Sequence, residues 1–345
     1  MHSKEFSKMR RIPSKLLGVT LVLGLALAGC AEKPAASGGD ASAGPKTNFP
    51  EPGKVVTMIV PYGVGGGTDI GARLLANDMS KLLDTTINVE NKVGASGQIG
   101  LTELVSSKPD GYTIAWANAP ITSPIYLDPS RKAAFKSEDL VPLGNYVFDP
   151  ALLVVPKDSP YQSLKDLIDA AKAQPGKIAI SASAVLAPGD MVIRALEAAA
   201  GVKFSTVYFE TAGQQRSALL GGQVAVESGS ISEAAGALQS GQVRGLTLFD
   251  GTESKFAPGV PTAKSEGYDV EWGSSRILVV PKGTPQDVID VWTKAIKDAS
   301  DQEAARGDFD KAFLTQRYMD PAATAAYVKT IDQQVQVFLD QVAKG

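Results

Sequence analysis

Residues 55 to 83, VVTMIVPYGVGGGTDIGARLLANDMSKLL, constrain this chain most, because an apolar run passes through a glycine-rich turn straight into an amphipathic segment. Val55, Val56, Met58, Ile59 and Val60 make a short apolar run of the kind expected for a strand buried on both faces, and Pro61 ends it. From Ile70 onward, Ile70, Leu74, Leu75, Met79, Leu82 and Leu83 recur at helical spacing, which predicts a helix with one face on a sheet. Between them, Gly63, Gly65, Gly66 and Gly67 remove Cβ where the backbone must turn and leave the first helix amides open to a bound anion. The turn from Tyr62 to Asp69 is therefore a candidate ligand site; the alternative is a plain connection with Thr68 or Asp69 as N-cap. A P-loop is excluded, because Thr68 and Asp69 follow Gly67 where Lys and Ser or Thr are required. A dinucleotide fingerprint misses its third glycine at Thr68, although Glu90 stands where a ribose-binding acid belongs.

Residues 1 to 29 read as a secretory leader. Lys4, Lys8, Arg10, Arg11 and Lys15 precede an apolar segment from Leu16 to Ala28 that is too short for a membrane span. LAGC, ending at Cys30, resembles the lipobox of bacterial lipoproteins, which implies cleavage before Cys30, its lipidation, and an extracytoplasmic, membrane-anchored protein. Residues 30 to 53, rich in Ala, Gly, Ser and Pro, read as a flexible tether. Removing the leader takes five basic residues and one acidic residue out of 34 and 37, leaving a net charge of about −7 with no basic cluster, which argues against nucleic-acid binding.

Two absences narrow the chemistry. The single histidine, His2, lies in the leader and the single cysteine is the lipidation candidate, so the processed chain has neither imidazole nor free thiol. Ser-His-Asp and Cys-His catalysis, histidine or thiolate zinc sites and disulfides are excluded, and no metal, cofactor or catalytic residue is expected. Asp69, Asp110 and Asp190 read as isolated acids in surface or capping roles.

Further along, Thr86 to Glu90 predicts a second strand and Tyr112 to Trp116 a third, whose end brings Asn118 and Ala119 beside the first turn. An extended stretch over residues 141 to 156 predicts a crossing into a second lobe, and Ile277 to Val280 the return. Ser163 with Asp166 predicts a capping box, and Ala182 to Asp190 a loop into another helix, repeating the opening unit. Val224 to Val226 predicts a strand delivering Ser228, Gly229 and Ser230 in a turn, with Ser230 or Ser232 capping the next helix. The expected fold is α/β, a two-lobed clamshell of open sheets flanked by helices and joined by two crossings, with lobe 1 over residues 54–154 and 276–345 and lobe 2 over 155–275.

Seven segments, VPYGVGGGTDIGARLLA (60 to 76), VENKVGASGQIG (89 to 100), PDGYT (109 to 113), SLKDL to PGKI (163 to 178), ALLGGQV (218 to 224), PGVPTAKSEGY (258 to 268) and PKGTP (281 to 285), resemble in order and spacing the substrate-binding proteins of tripartite tricarboxylate transporters. The resemblance covers nearly all of the processed chain. It implies a periplasmic-binding-protein clamshell that captures a small organic carboxylate and delivers it to membrane permease subunits, acting as a monomer and not as an enzyme. Carried over residue by residue, it implies ligand contacts from Tyr62, Gly65, Gly66, Thr68, Asp69, Asn118, Ala119, Ser183, Ala184, Ser228, Gly229 and Ser230, to which the glycine-rich turn itself adds Gly67. YFETAG (208 to 213) departs from the common PYKGG-like spelling, with Glu210 in place of lysine, which makes an amine-bearing or weakly acidic ligand an expectation.

No arginine lies in these loops, since Arg73, Arg194 and Arg216 fall in the helices behind them, so helix amides rather than ion pairs are expected to hold the anion. Two other classes stay open. A secreted hydrolase of carboxylate chemistry needs a carboxylate pair that no spacing nominates. A ligand-sensing lipoprotein without transport shares every feature above.

Overall fold

The computed structural model describes residues 48–342, and the leader, Cys30 and most of the tether lie outside the described residues. Ten strands and ten helices follow in the order β1 (Val56–Val60), α1 (Gly67–Leu83), β2 (Ile87–Asn91), α2 (Gln98–Ser106), β3 (Thr113–Ala119), α3 (Ser123–Leu127), β4 (Leu140–Pro156), α4 (Leu164–Ala173), β5 (Ala179–Ala182), α5 (Pro188–Ala200), β6 (Ser205–Tyr208), α6 (Ala212–Leu220), β7 (Val226–Ser230), α7 (Ile231–Gln239), β8 (Val243–Leu248), β9 (Gly273–Pro281), α8 (Gln286–Asp301), α9 (Glu303–Lys311), β10 (Gln316–Met319) and α10 (Pro321–Val342).

Strand β4 organises the sheet. Its first part, Leu140 to Pro150, pairs antiparallel with β9, which extends the run β2-β1-β3-β9; β1 is parallel to both β2 and β3. Its second part pairs antiparallel with β7 through Ala151 to Val154 and with β8, and β7 leads through parallel pairs to β5 and β6. One continuous strand thus belongs to both halves, and β9 runs beside it where it passes between them. Both are almost wholly buried.

Local chemistry sets the helices. Ser163 accepts from the Asp166 amide while Asp166 reaches back to Ser163, the capping box expected from their spacing. Thr211 with Gln214 and Ser230 with Glu233 repeat it for α6 and α7. On α8, Val288, Trp292, Ala295, Ile296 and Ala299 face the core, and on α10 Ile331, Val335 and Phe338 do. Asp320 caps α10 at the Ala323 amide, at 2.7 Å.

Several boundaries move. Helix α1 starts at Gly67, with Gly66 as N-cap and no side-chain cap, so neither Thr68 nor Asp69 has that role. Ser228, Gly229 and Ser230 are strand, not turn, because β4 continues far enough to pair with all three. Asn118 and Ala119 likewise close β3, held by β9 opposite Arg276 and Ser275. Helix α9 and strand β10 were not expected; their exposure leaves only a thin apolar pattern to read.

Candidate functional site

Where the two halves meet, a cavity of ≈ 190 Å³ is walled by residues from α1, β3, β4, α5, α6, β7, α7 and β9. It contains Gly67, Thr68, Asn118, Ser183, Ser228, Gly229 and Ser230 from the expected set. The entry turns of α1, α5 and α7 all open onto it, through Gly67 and Thr68, through Gly189, and through Ser230 and Ser232. The partial positive ends of three helices of 17, 13 and 9 residues therefore converge on one small volume.

The first turn is held by Asp69. Its carboxylate accepts from the Gly65 amide at 2.9 Å, from Asn91 Nδ2 at 2.9 Å and from Arg73 Nε at 3.2 Å, with Arg73 Nη2 at 3.0 Å. Burial alone would raise the Asp69 carboxyl, but the hydrogen bonds from Arg73, Gly65 and Asn91 together hold it below the usual aspartate range. Asp69 thus latches the turn from behind. Asp190 does the same for α5, taking the Leu186 amide at 2.9 Å, Arg194 Nε at 2.7 Å and the Tyr208 hydroxyl at 2.8 Å. Neither acid is a solvated surface group, since both are buried and ion-paired to the arginine one turn on. Asp110 receives the Tyr112 amide at 3.1 Å within its turn.

Other expected residues stand back from the cavity. Gly65 and Gly66 are exposed, and Ala184 is not among the lining residues. The Tyr62 hydroxyl is buried beside Thr122, and that burial pushes it up to about 12. Ala119 faces a separate apolar cavity of ≈ 380 Å³ with Ile277 and Val279, because alternate residues of β3 point to opposite faces. Asn118, on the other face, donates from Nδ2 to Thr68 Oγ1 at 2.8 Å and so ties β3 to the first turn of α1. Glu210 is exposed and lines a different groove with Thr211 and Gln214, so the YFETAG departure places no charge in this cavity.

The expectation of an arginine-free site is overturned. Arg276 of β9 is 4% exposed and lines the cavity, with its Nη2 2.8 Å from Asp149 Oδ2 on the neighbouring β4. Asp149 is further saturated by the Ser232 amide at 3.1 Å and hydroxyl at 2.5 Å. Arg276 is not saturated: Nε and Nη1 are buried with no hydrogen-bond partner among the described residues. Gly67 lies close beside it, and a Cβ there would come within 2.8 Å of Nη2, so the guanidinium would have to shift. Glu233 and Gln215 complete the wall. Sequence reasoning missed Asp149, Arg276 and Glu233, although the first two had a signal, a single charged residue inside each apolar crossing strand.

Comparison with known proteins agrees with this architecture. The family model described as the tripartite tricarboxylate transporter family receptor matches residues 71–344. A protein from the gbd 5′ region of Cupriavidus necator is 31% identical over 281 residues, 80% of this chain and 84% of that protein. A TctC solute-binding protein from Polaromonas, solved without ligand, superposes with a TM-score of 0.74 at 26% identity, covering 84% of this chain and 99% of that one. MatC of Rhodopseudomonas palustris, solved with bound malate, superposes with a TM-score of 0.69 at 25% identity over 84% and 99%. The fold is that of two-lobed periplasmic solute-binding proteins, and family and fold alike are those of substrate-binding receptors. With a family match over most of its length, a relative above 30% identity and this sheet arrangement, the chain belongs to the tripartite tricarboxylate transporter family receptors.

Proposed function

We propose that this protein is an extracytoplasmic solute-binding lipoprotein that captures a small organic carboxylate between its lobes and delivers it to the membrane permease subunits of a tripartite transporter. One observation carries the reading: a buried arginine with two unpaired nitrogens stands where three helix N-termini converge. A buried guanidinium left short of acceptors is unfavourable, and a carboxylate supplies them through charge-assisted hydrogen bonds of about 1.5 to 3 kcal/mol each. The malate held by MatC supports a ligand of this class. In this reading Gly67, Thr68, Asn118, Ser183, Ser228, Gly229 and Ser230 line the ligand, while Asp69 and Tyr62 shape the turn behind it. The lobes move as residues 54–154 with 276–345 and residues 155–275, and Cys30 carries the lipid anchor.

Calorimetric titration of the purified protein with small carboxylates tests the capture step. The pair Asp149→Asn with Arg276→Gln removes both charges together, so no lone charge is left buried. Carboxylate binding is expected to fall at least about tenfold while the melting transition stays cooperative. Unchanged affinity in the folded double variant would remove Arg276 from the site. The anchor is tested separately, since Cys30→Ser is expected to move the protein from membrane to soluble fractions.

A further inference from the structure

The walls of the cavity carry opposite charge. Arg276 stands against Gly67, at the entry of α1. Glu233 stands on the α7 wall, where its Oε2 and Glu227 Oε1 would each lie 3.5 Å from a Cβ on Gly229. Two of the three carboxylates here already have cations. Glu227 is held by Arg216 through Nε at 2.7 Å and Nη2 at 2.8 Å, and Asp149 by Arg276. Glu233 lines the cavity and has no ion-pair partner among the described residues; its known donor is the Ser230 amide at 3.2 Å. Gln215 adds a buried Oε1 with no hydrogen-bond partner.

Resting on the carboxylate reading above, we infer that the ligand is a small ammonium carboxylate, with its carboxylate on Arg276 and the α1 amides and its ammonium group on Glu233. Three carboxylates against two arginines leave one negative charge in and behind the wall. A zwitterion fills the cavity without adding to that charge, and its ammonium gives Glu233 the cation it lacks. A dicarboxylate of the same length brings its second charge against Glu233, next to Asp149 and Glu227. Glu233 keeps solvent exposure, and desolvation together with those two carboxylates holds its carboxyl above the usual glutamate range.

The test uses ligands matched in length and differing at one end. Calorimetric titrations of the purified protein compare 4-aminobutanoate, pentanoate and glutarate, then 3-aminopropanoate, butanoate and succinate, with the α-amino acids screened alongside by thermal shift. The amino acids are expected to bind at least about tenfold tighter than the matched mono- and dicarboxylates. Glu233→Gln keeps an acceptor for the Ser230 amide, since Gln serves equally at this position of a capping box. In that variant the amino acid should weaken about tenfold while the dicarboxylate tightens. A purely structural role for Glu233 would move both ligands the same way. Dicarboxylates or monocarboxylates binding as tightly as the amino acids, or a preference unchanged in Glu233→Gln, would overturn this inference and leave the carboxylate reading standing. No binding by any of these amino acids or carboxylates would overturn the carboxylate reading itself.

Discussion

The entry turns of α1 and α5 are the same piece of backbone built from different residues. Each has an N-cap with no side-chain bond, Gly66 at φ −75° and ψ 162° and Ala187 at φ −74° and ψ 162°. Each is preceded by a left-handed residue, Gly65 at φ 79° and Leu186 at φ 61°, whose amide binds the aspartate four positions on. Each aspartate then pairs with the arginine one turn further, Arg73 or Arg194. A glycine-rich spelling is therefore not what makes the turn, because the aspartate latch makes it with Leu, Ala and Pro as well. What glycine adds in α1 is clearance and a donor: Gly67 lets the helix end approach Arg276 and retains an amide, whereas the equivalent Pro188 has none. The two turns share a scaffold, and the first is the better anion donor.

Removing the latch is expected to have the largest effect. Asp190→Ala leaves Arg194 without its buried partner and should destabilise by about 3 kcal/mol, measured by urea unfolding. Asp69→Ala should cost less, because Arg73 is 48% exposed against 28% for Arg194 and is better solvated when unpaired. Equal losses would mean that solvent access to the arginine does not distinguish the turns. The Asp69 latch is also pH-dependent. Its folded carboxyl is held low, so its contribution is present above the ordinary aspartate value of about 4 and is lost as pH falls through the folded one. Asp69→Asn should flatten that acid limb of stability.

Clearance at Gly67 comes next. Gly67→Ala should weaken carboxylate binding about tenfold by displacing Arg276, while Gly66→Ala, whose added Cβ meets nothing closer than the Gly63 oxygen at 3.5 Å, should leave it nearly unchanged. Similar losses by calorimetry in both variants would show that the whole turn, and not the one close approach, makes the site.

Exchanging the left-handed residues has a smaller effect. Gly65→Ala should destabilise by about 1 kcal/mol through its positive φ, since the added Cβ meets no neighbour. Leu186→Gly relieves the same strain but gives up a side chain only 6% exposed, so it should not stabilise the fold. A rise in melting temperature for Leu186→Gly would show that burial does not offset the strain there. The smallest effect is expected from Glu233→Gln in the absence of ligand. A carboxyl held high makes the fold lose stability as pH rises from the ordinary glutamate value through the folded one, and the variant should lack that decline.

Much of this was legible in the residues. The run of apolar residues, the helical spacing after Ile70, the capping box at Ser163 and the apolar crossings over 141 to 156 and 277 to 280 are local patterns, and β4, β9, α1 and α4 follow them. Propensity and periodicity determine such elements because each depends on neighbours a few residues away. Seven of the residues expected at the ligand line one cavity, because the ends of β3, β5 and β7 and the start of α1 gather on one side of the sheet.

Charge placement was not local. Asp149 and Arg276 are 127 positions apart, and only the antiparallel register of β4 and β9, which sets Asp149 opposite Ser274 and Arg276 opposite Val147, brings them within reach diagonally across the two strands. The capping box of Ser230 with Glu233 emerges with the fold; that Glu233 also lines the cavity, with no ion-pair partner among the described residues, depends on β7 extending to Ser230 and carrying α7 to the wall. Glu210, the departure most visible in the spelling, points elsewhere. The sequence by itself determined most of the elements, the α/β class and the turn that opens onto the cavity. The tertiary structure alone decided which charges meet there, because a buried charge is set by partners brought from distant strands, and no spacing along the chain records that.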